Sequence, residues 1–348
     1  VGARPNFVKV APLLRFFEKN GKKVLFIHTG QHWDKNMSED IFKDIGLREP
    51  DVNLNIKHKS MNIQLGSIIN ELDSCIKLNN TKSLFVFGDV TSTLSGALVA
   101  KNNSVDCFHV EAGLRSNNLN MPEERNRIMV DSICDKLFTP SNDAVENLLK
   151  ENISEEKIFN VGNIMIDTLI DNLDKITSNQ NTISSEFSIN REYFVLTLHR
   201  PANLNDEKLT LIFDGLSEFT DKHDIIIPAH PRLKAFIQEN NFDTSRFKVI
   251  DPQPYIKFLT LVNNSTLCLT DSGGLQEETT YLNKKCLTLR DETERPITVE
   301  MGTNKVIGVS KNFINEINSS LNTKISERKK IDFWDGKTSQ RIYEEIYD

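Results

Sequence analysis

Twice along this chain, short runs of continuously apolar residues alternate with segments of helical periodicity, and that alternation constrains the fold more than any other feature. KVLFIHTG (23–30), SLFVFGD (83–89), DCFHVEAG (106–113) and KLFTPS (136–141) lack the polar alternation of a half-exposed strand. They read as strands buried on both faces, as in parallel sheets. Helical patterns cover 61–78, 91–103, 123–134 and 143–151. A stretch rich in Ser, Asn and Thr, residues 174–190, then interrupts the series and reads as a linker. The alternation restarts with YFVLTLHR (193–200), DIIIPAH (224–230), FKVIDP (247–252), STLCLTDS (265–272) and KCLTLRD (285–291). Two such arrays predict two doubly wound α/β domains, 1–173 and 191–332, and 348 residues suffice for two cores. The segment 333–348 predicts a helix placed to cross back onto the first domain. In such sheets ligands bind beyond the carboxyl ends of the strands, and here also in the cleft between domains.

Charge and composition narrow the function. A net charge of −7 with no long basic run excludes nucleic acid as a partner class. No apolar run approaches the roughly 20 residues that span a membrane. The five cysteines stand singly, in odd number and without CxxC spacing, which argues against disulfides and zinc and fits a reducing cytoplasm. VGARP reads as the end of a strand, so we expect that strand to begin before Val1, and no signal peptide is visible.

The strand ends carry the chemistry. After an apolar strand, Asp271-Ser272-Gly273-Gly274 breaks into a helix, leaving backbone N–H groups directed outward, an arrangement that binds phosphate. Glu277 and Glu278 follow in what reads as the first helical turn, within reach of sugar hydroxyls, and Arg290 and Arg295 add fixed positive charge. An ordinary βα turn would also want glycine there. Arg4 and Lys9, around a first-turn Pro5, can face a diphosphate, although such an Arg also suits a surface. Asp89 ends a strand, where helix capping and catalysis both fit. Glu111 ends a buried strand and needs a polar partner, for which Arg115 is the plain candidate. Glu123 opens an acidic helix start, a position that the helix dipole alone can explain. His199-Arg200 and His230-Pro231-Arg232 repeat a histidine-plus-cation theme at two strand ends. There is no GxGxxG for nicotinamide chemistry, no GxSxG and no kinase set. His109 and Glu111, two apart on a strand, lack a third metal ligand.

In this order the motifs GARPNFVKVAPL, HTGQHWDKNM, GDVTSTLSGAL, HVEAGLRS, MPEERNR, GNIMIDTL, TLHRPAN, DSGGLQEE and DETERP resemble the non-hydrolysing UDP-N-acetylglucosamine 2-epimerases from end to end. The resemblance implies two Rossmann-like doubly wound domains of the GT-B type, with the active site in the interdomain cleft, and a cytoplasmic homodimer. It implies inversion at C2 of a UDP-N-acetylhexosamine for surface-polysaccharide precursors, with no cofactor and no metal. It makes Asp89, Glu111 and Glu123 the acids and bases, with Arg4, Lys9 and His199 at the diphosphate. Ser272, Gly273 and Glu278 would hold phosphate and ribose, with Phe258 near uracil and Arg295 near the diphosphate. Gly274, Arg115, Arg127, Arg200 and His230 complete the expected substrate-binding set.

Two departures stand out. The family's H-R-x-E-N becomes HRPAN, which removes a carboxylate. Gln31 and His32 match a regulatory UDP-GlcNAc site, but Asp34 follows them and HKSMNIQL has no arginine, so we expect substrate activation to be weak or absent. Sister enzymes with these motifs act on diacetamido-uronic or 6-deoxy UDP sugars. A GT-B glycosyltransferase shares the fold but has no need of carboxylates at several strand ends, and a non-catalytic sugar-nucleotide sensor would need none of the acids and bases.

Overall fold

The computed structural model describes residues 1–30, 42–58, 60–325, 327 and 329–347. The chain divides into two compact units, Val1–Asp171 with Ile331–Asp348, and Asn172–Lys330. In the first unit, helix α1 (Arg4–Lys19) has Pro5 in its first turn, and strands β1 (Ile27–His28) and β2 (Val52–Asn53) pair in parallel. The Thr29 N–H donates to the Val1 carbonyl at 2.8 Å and the Val1 amino group to the Ile27 carbonyl at 2.9 Å, so the first residue runs alongside β1. Then follow α2 (Met61–Leu78), β3 (Ser83–Phe87), α3 (Thr91–Asn102), β4 (Asp106–Val110), α4 (Pro122–Ile133), β5 (Lys136–Thr139), α5 (Asn142–Lys150), β6 (Ile158–Asn160) and α6 (Ile164–Asp171). Strands β3 to β6 lie in sequence order in a parallel sheet. Helix α2 buries Ile68, Leu72, Cys75 and Ile76, the stripe that a period of 3.6 puts on one face.

Across that sheet Phe85, Phe108, Phe138 and Phe159 form a ladder, one ring per strand, with neighbouring centroids 5.2, 6.3 and 5.9 Å apart. Phe17 of α1 meets its end edge-on, 5.4 Å from Phe85. The C-terminal helix, Thr338–Tyr347, also packs on α1, through Tyr343. Its N-terminus is tied down by buried Asp167 of α6, which accepts the Thr338 and Ser339 N–H groups at 3.1 and 2.8 Å. Those donors would otherwise be orphans of the first helical turn.

The second unit begins with α7 (Leu173–Ser178) and α8 (Gln180–Glu186). The linker expected over 174–190 is therefore mostly helical. Its polar composition hides Ile176 and Ile183, seven residues apart and both buried, while Glu186 pairs with Lys257. There follow β7 (Tyr193–Thr197), α9 (Asp206–Ser217), β8 (Asp224–Pro228), α10 (Pro231–Glu239), β9 (Lys248–Ile250) and α11 (Tyr255–Asn264). The unit closes with β10 (Leu267–Thr270), α12 (Gly273–Tyr281), β11 (Cys286–Thr288), α13 (Ile297–Glu300), β12 (Asn304–Val306) and α14 (Phe313–Asn322). The parallel sheet runs β9-β8-β7-β10-β11-β12, which is the doubly wound order whose direction reverses between its first and fourth strands. That switch point falls between β7 and β10, paired Leu196 to Leu269 and Thr197 to Thr270. The core behind it is aliphatic and aromatic, built on Phe194, Leu196, Ile225, Ile227, Leu267 and Leu269.

All five cysteines are buried free thiols, and four of them lie in two pairs in space. The Cys107 and Cys134 sulfurs lie 3.3 Å apart, and Cys268 and Cys286 are register partners on β10 and β11. Among the described residues no helix is long and apolar enough to cross a membrane.

Candidate active site

In the first unit the ends of β3 and β4 lie side by side, Phe87 opposite Val110, and deliver Asp89 and Glu111 together. The chain leaves β3 through Gly88 at φ 65°, where a Cβ would come within 3.1 Å of Lys9 Nζ and 3.2 Å of Glu111 Oε2. Only glycine combines that backbone with that close approach. Glu111 itself sits at φ 74°, a left-handed conformation that costs a residue with a side chain about 1–3 kcal/mol and gathers at functional sites. Its carboxylate is buried and takes an ion pair from Lys9 of α1. Arg115, expected as its partner, is drawn elsewhere. Its Nε and Nη2 grip Glu151 at 2.6 and 2.7 Å, and its Nη1 meets Asp131 at 2.7 Å.

Helix α4 registers this corner of the unit. Glu124, in its first turn, accepts the Ser116 and Asn117 N–H groups at 3.0 and 2.8 Å. One turn on, Arg127 pairs with Asp89 and with Glu124, the latter at 2.7 Å. One turn further, Asp131 accepts His109 Nδ1 at 2.6 Å and the Gly113 N–H at 3.1 Å. His109 Nε2 meets the Gly88 carbonyl at 2.7 Å, so one buried ring ties β4 to the turn that carries Asp89. Burial would raise the Asp131 carboxyl, but His109 and Arg115 hold it below the usual carboxylate range. Glu123, half-buried beside Glu124, makes no ion pair among the described residues.

In the second unit the site gathers at the switch point. Helix α12 starts at Gly273, and Ser272 caps it without a side-chain bond, which leaves first-turn N–H groups for an anion. A Cβ on Gly273 would lie 2.3 Å from Arg295 Nη1, so the guanidinium lies against that glycine. Arg295 is steadied by Glu277 at 3.1 Å and Glu294 at 3.5 Å. Glu294 is gripped by both Arg290 nitrogens at 2.7 and 2.8 Å and approached by Arg200 at 3.5 Å. Burial alone would raise the Glu294 carboxyl, but Arg290, Arg295 and Arg200 hold it far below the ordinary range. Arg290 is thus bound to Glu294 and serves as internal ballast. Glu278 behaves in the opposite way. Burial, with Glu277 beside it, pushes its carboxyl up to about 8 against the pull of the Tyr255 hydroxyl. Neither that hydroxyl nor Glu278 Oε1 has a hydrogen bond of good geometry.

Comparison with known proteins decides what this arrangement belongs to. The family model for UDP-N-acetylglucosamine 2-epimerase matches residues 16–347. The chain belongs to the UDP-N-acetylglucosamine 2-epimerase family. A UDP-N-acetylglucosamine 2-epimerase of Methanocaldococcus jannaschii is 41% identical over 98% of this chain and 96% of its own length. A UDP-2,3-diacetamido-2,3-dideoxy-D-glucuronate 2-epimerase of Pseudomonas aeruginosa is 35% identical over 99% of this chain and 97% of its own. The crystal structure of the M. jannaschii UDP-GlcNAc 2-epimerase in complex with UDP-GlcNAc and UDP superposes with a TM-score of 0.92 at 40% identity, covering 99% of this chain and 97% of that one. The fold is accordingly of the GT-B type, with two Rossmann-like sheets.

Against that family frame, the first unit brings Lys9, Asp89, Glu111 and Arg127 together, and Arg115 stands apart on Asp131 and Glu151. Arg4 opens α1, and its side chain lies outside the described residues, as do Gln31 and His32. In the second unit His199, Arg200, Ser272, Gly273, Glu278 and Arg295 surround the β7 and β10 ends, with Gly274 in the first turn of α12. His230 caps α10, its Nδ1 accepting the Arg232 N–H, and its ring centroid stands 6.2 Å from that of His199. Phe258 is half-buried on α11, one turn beyond Tyr255. Glu277 and Glu278 fall in the second turn of α12, because the helix begins at the first glycine. The sequence reading gave no role to Asp131, Asp271 or Glu294, which hold these groups in place.

Proposed function

We propose that this chain interconverts UDP-N-acetylglucosamine and UDP-N-acetylmannosamine without net hydrolysis. The C2 proton of the sugar is not acidic, because no carbonyl adjoins it. Cleavage of the C1–O bond sends the electron pair to UDP and makes an oxocarbenium-like centre that acidifies C2–H. A carboxylate then takes that proton, and the C–H pair forms the C1–C2 double bond of a 2-acetamidoglucal. UDP adds back at C1 while a proton is delivered to the other face of C2. Such a route needs donors on the leaving diphosphate and carboxylates for two faces of one carbon.

The observation that supports this reading best is the pair of strand ends that present Asp89 and Glu111 side by side, each paired with a cation. In this reading Asp89, Glu111 and Glu123 exchange the C2 proton. Arg4, Lys9, His199, Arg200, Arg295 and the α12 N–H groups attend the diphosphate, Glu278 takes the ribose hydroxyls, and Phe258 lies near uracil. His230 and Ser272 complete the nucleotide contacts in residues 191–332, and the enzyme acts as a cytoplasmic homodimer. The 35% identity to the diacetamido-glucuronate epimerase supports a modified UDP-hexosamine as the second reading.

Proton NMR of the protein with UDP-GlcNAc in D2O tests the reading. Deuterium at C2 together with a UDP-ManNAc signal is the expected result. Exchange only with a diacetamido-uronic or 6-deoxy UDP sugar would transfer the assignment to that substrate. No exchange with any of them would overturn it.

A further inference from the structure

The carboxylate of Asp271 lies fully buried at the end of β10. Among the described residues its hydrogen-bond donors come from one segment, the loop that follows β7. The His199 N–H reaches its two oxygens at 3.1 and 3.1 Å, the Arg200 N–H at 2.9 Å and Asn203 Nδ2 at 3.2 Å. His199 Nδ1 lies 2.7 Å from Asp271 Oδ1. Asn203 also donates to the Leu289 carbonyl at 2.8 Å, so the HRPAN segment stays anchored although Pro201 and Ala202 replace the family residues. Burial would raise the Asp271 carboxyl, but His199 and the backbone donors hold it below the usual range. The His199 side chain remains 42% exposed. An ionised carboxylate on Nδ1 demands the proton there and leaves Nε2 as the ring atom turned to a ligand.

We propose that Asp271 is a positioning residue for epimerisation: it fixes the tautomer and the ring plane of His199, so that Nε2 meets the leaving diphosphate. The inference rests on the epimerase reading and adds to it a residue that reaches the substrate only through His199. Replacing a carboxylate by an amide in such a pair allows the amide NH2 to face Nδ1 and select the wrong tautomer, a change that lowers turnover by orders of magnitude in other enzymes.

The test compares Asp271→Asn, His199→Asn and the double variant in UDP-GlcNAc epimerisation, with UDP affinity measured alongside. For Asp271→Asn we expect kcat to fall at least about tenfold with KM within about threefold of wild type. In the His199→Asn background the same change should lower kcat by less than about threefold, because the group it acts through is gone. Full multiplication of the two losses would overturn the proposal and leave Asp271 as a loop fastener. If Asp271→Asn does not fold, 15N NMR of histidine-labelled wild type, assigned against His199→Asn, reads the tautomer directly. A neutral His199 protonated on Nε2 would sink the proposal, and a proton on Nδ1 would sustain it. Should the wild type not epimerise, the epimerase reading fails on its own, and the tautomer measurement still decides the Asp271–His199 pairing.

Discussion

Glu278 should make nucleotide binding depend on pH. Its carboxyl is buried, has an oxygen without a hydrogen bond and is pushed up to about 8. Tyr255 and Cys268, the groups facing it from α11 and β10, are themselves pushed up, Tyr255 by burial and Cys268 by its hydrogen bond with Cys286 and by burial, and Glu277 beside it is paired with Arg295. None of these three supplies a compensating cation. If Glu278 accepts two ribose hydroxyls, the bound form is the carboxylate, and binding must expel the proton that the free protein holds. The sign follows from linkage: affinity is complete above about 8 and is lost as pH falls below that value, about tenfold per pH unit. Between a pH well above 8 and pH 6 the loss approaches a hundredfold, or about 2.7 kcal/mol. Calorimetry in buffers of different ionisation enthalpy should find about 0.9 proton released per UDP bound at pH 7. Glu278→Gln should remove that release and flatten the profile, leaving the titration of the terminal phosphate near pH 6. The free protein should respond in the other direction. Ionising a buried carboxyl opposes folding, so the gain in Tm of Glu278→Gln over wild type should widen as pH rises from the ordinary 4.5 towards about 8. Proton-neutral UDP binding by the wild type at pH 7 would refute the reasoning.

Three further outcomes follow from the geometry. Gly273→Ala should push the Arg295 guanidinium off the start of α12 and weaken UDP binding about tenfold, read by calorimetry, with little change in Tm. Lys9→Met removes the cation of the buried ion pair with Glu111 and should cost up to about 3–5 kcal/mol in urea unfolding; adding Glu111→Gln should restore part of that stability but no activity. From pure UDP-ManNAc the rate curve should be hyperbolic without a lag, and a lag relieved by added UDP-GlcNAc would show that activation is retained.

What the sequence revealed depended on how local the cause was. Helix α2 was legible over its full span, 61–78, because its apolar stripe and its ends are written in neighbouring residues. Strands β3 and β4 were legible because strands buried on both faces are continuous apolar runs. Strands β6 and β12, at three residues each, are too short to carry a pattern. Helices α7 and α8 were masked by polar composition around two buried isoleucines. In the site, the Ser-Gly-Gly turn announced itself, since a close approach requires glycine there. The residues that hold the site did not. Asp131 lies 22 positions from His109, Asp271 lies 72 from His199, and Glu294 lies 94 from Arg200, so their roles exist only once the chain has folded. Arg115 misled for the same reason: Glu111 is its near neighbour in sequence, but Glu151, 36 residues away, is its partner.

The two units solve opposite electrostatic problems with one device. In the first, the groups that our reading makes reactive are carboxylates, and each strand-end acid has a cation delivered by a neighbouring helix: Lys9 from α1 to Glu111, Arg127 from α4 to Asp89. In the second, the groups that our reading turns to the ligand are cations and N–H donors, and buried carboxylates stand behind them: Glu294, itself held by Arg290, behind Arg200 and Arg295, and Asp271 behind His199. A buried charge without such a partner would shift its protonation or destabilise the fold. Glu278 stands outside this scheme, since no cation appears among the groups that set its carboxyl. Its partners in our reading are the ribose hydroxyls of the substrate, so the binding site is electrostatically complete only when the nucleotide is in it.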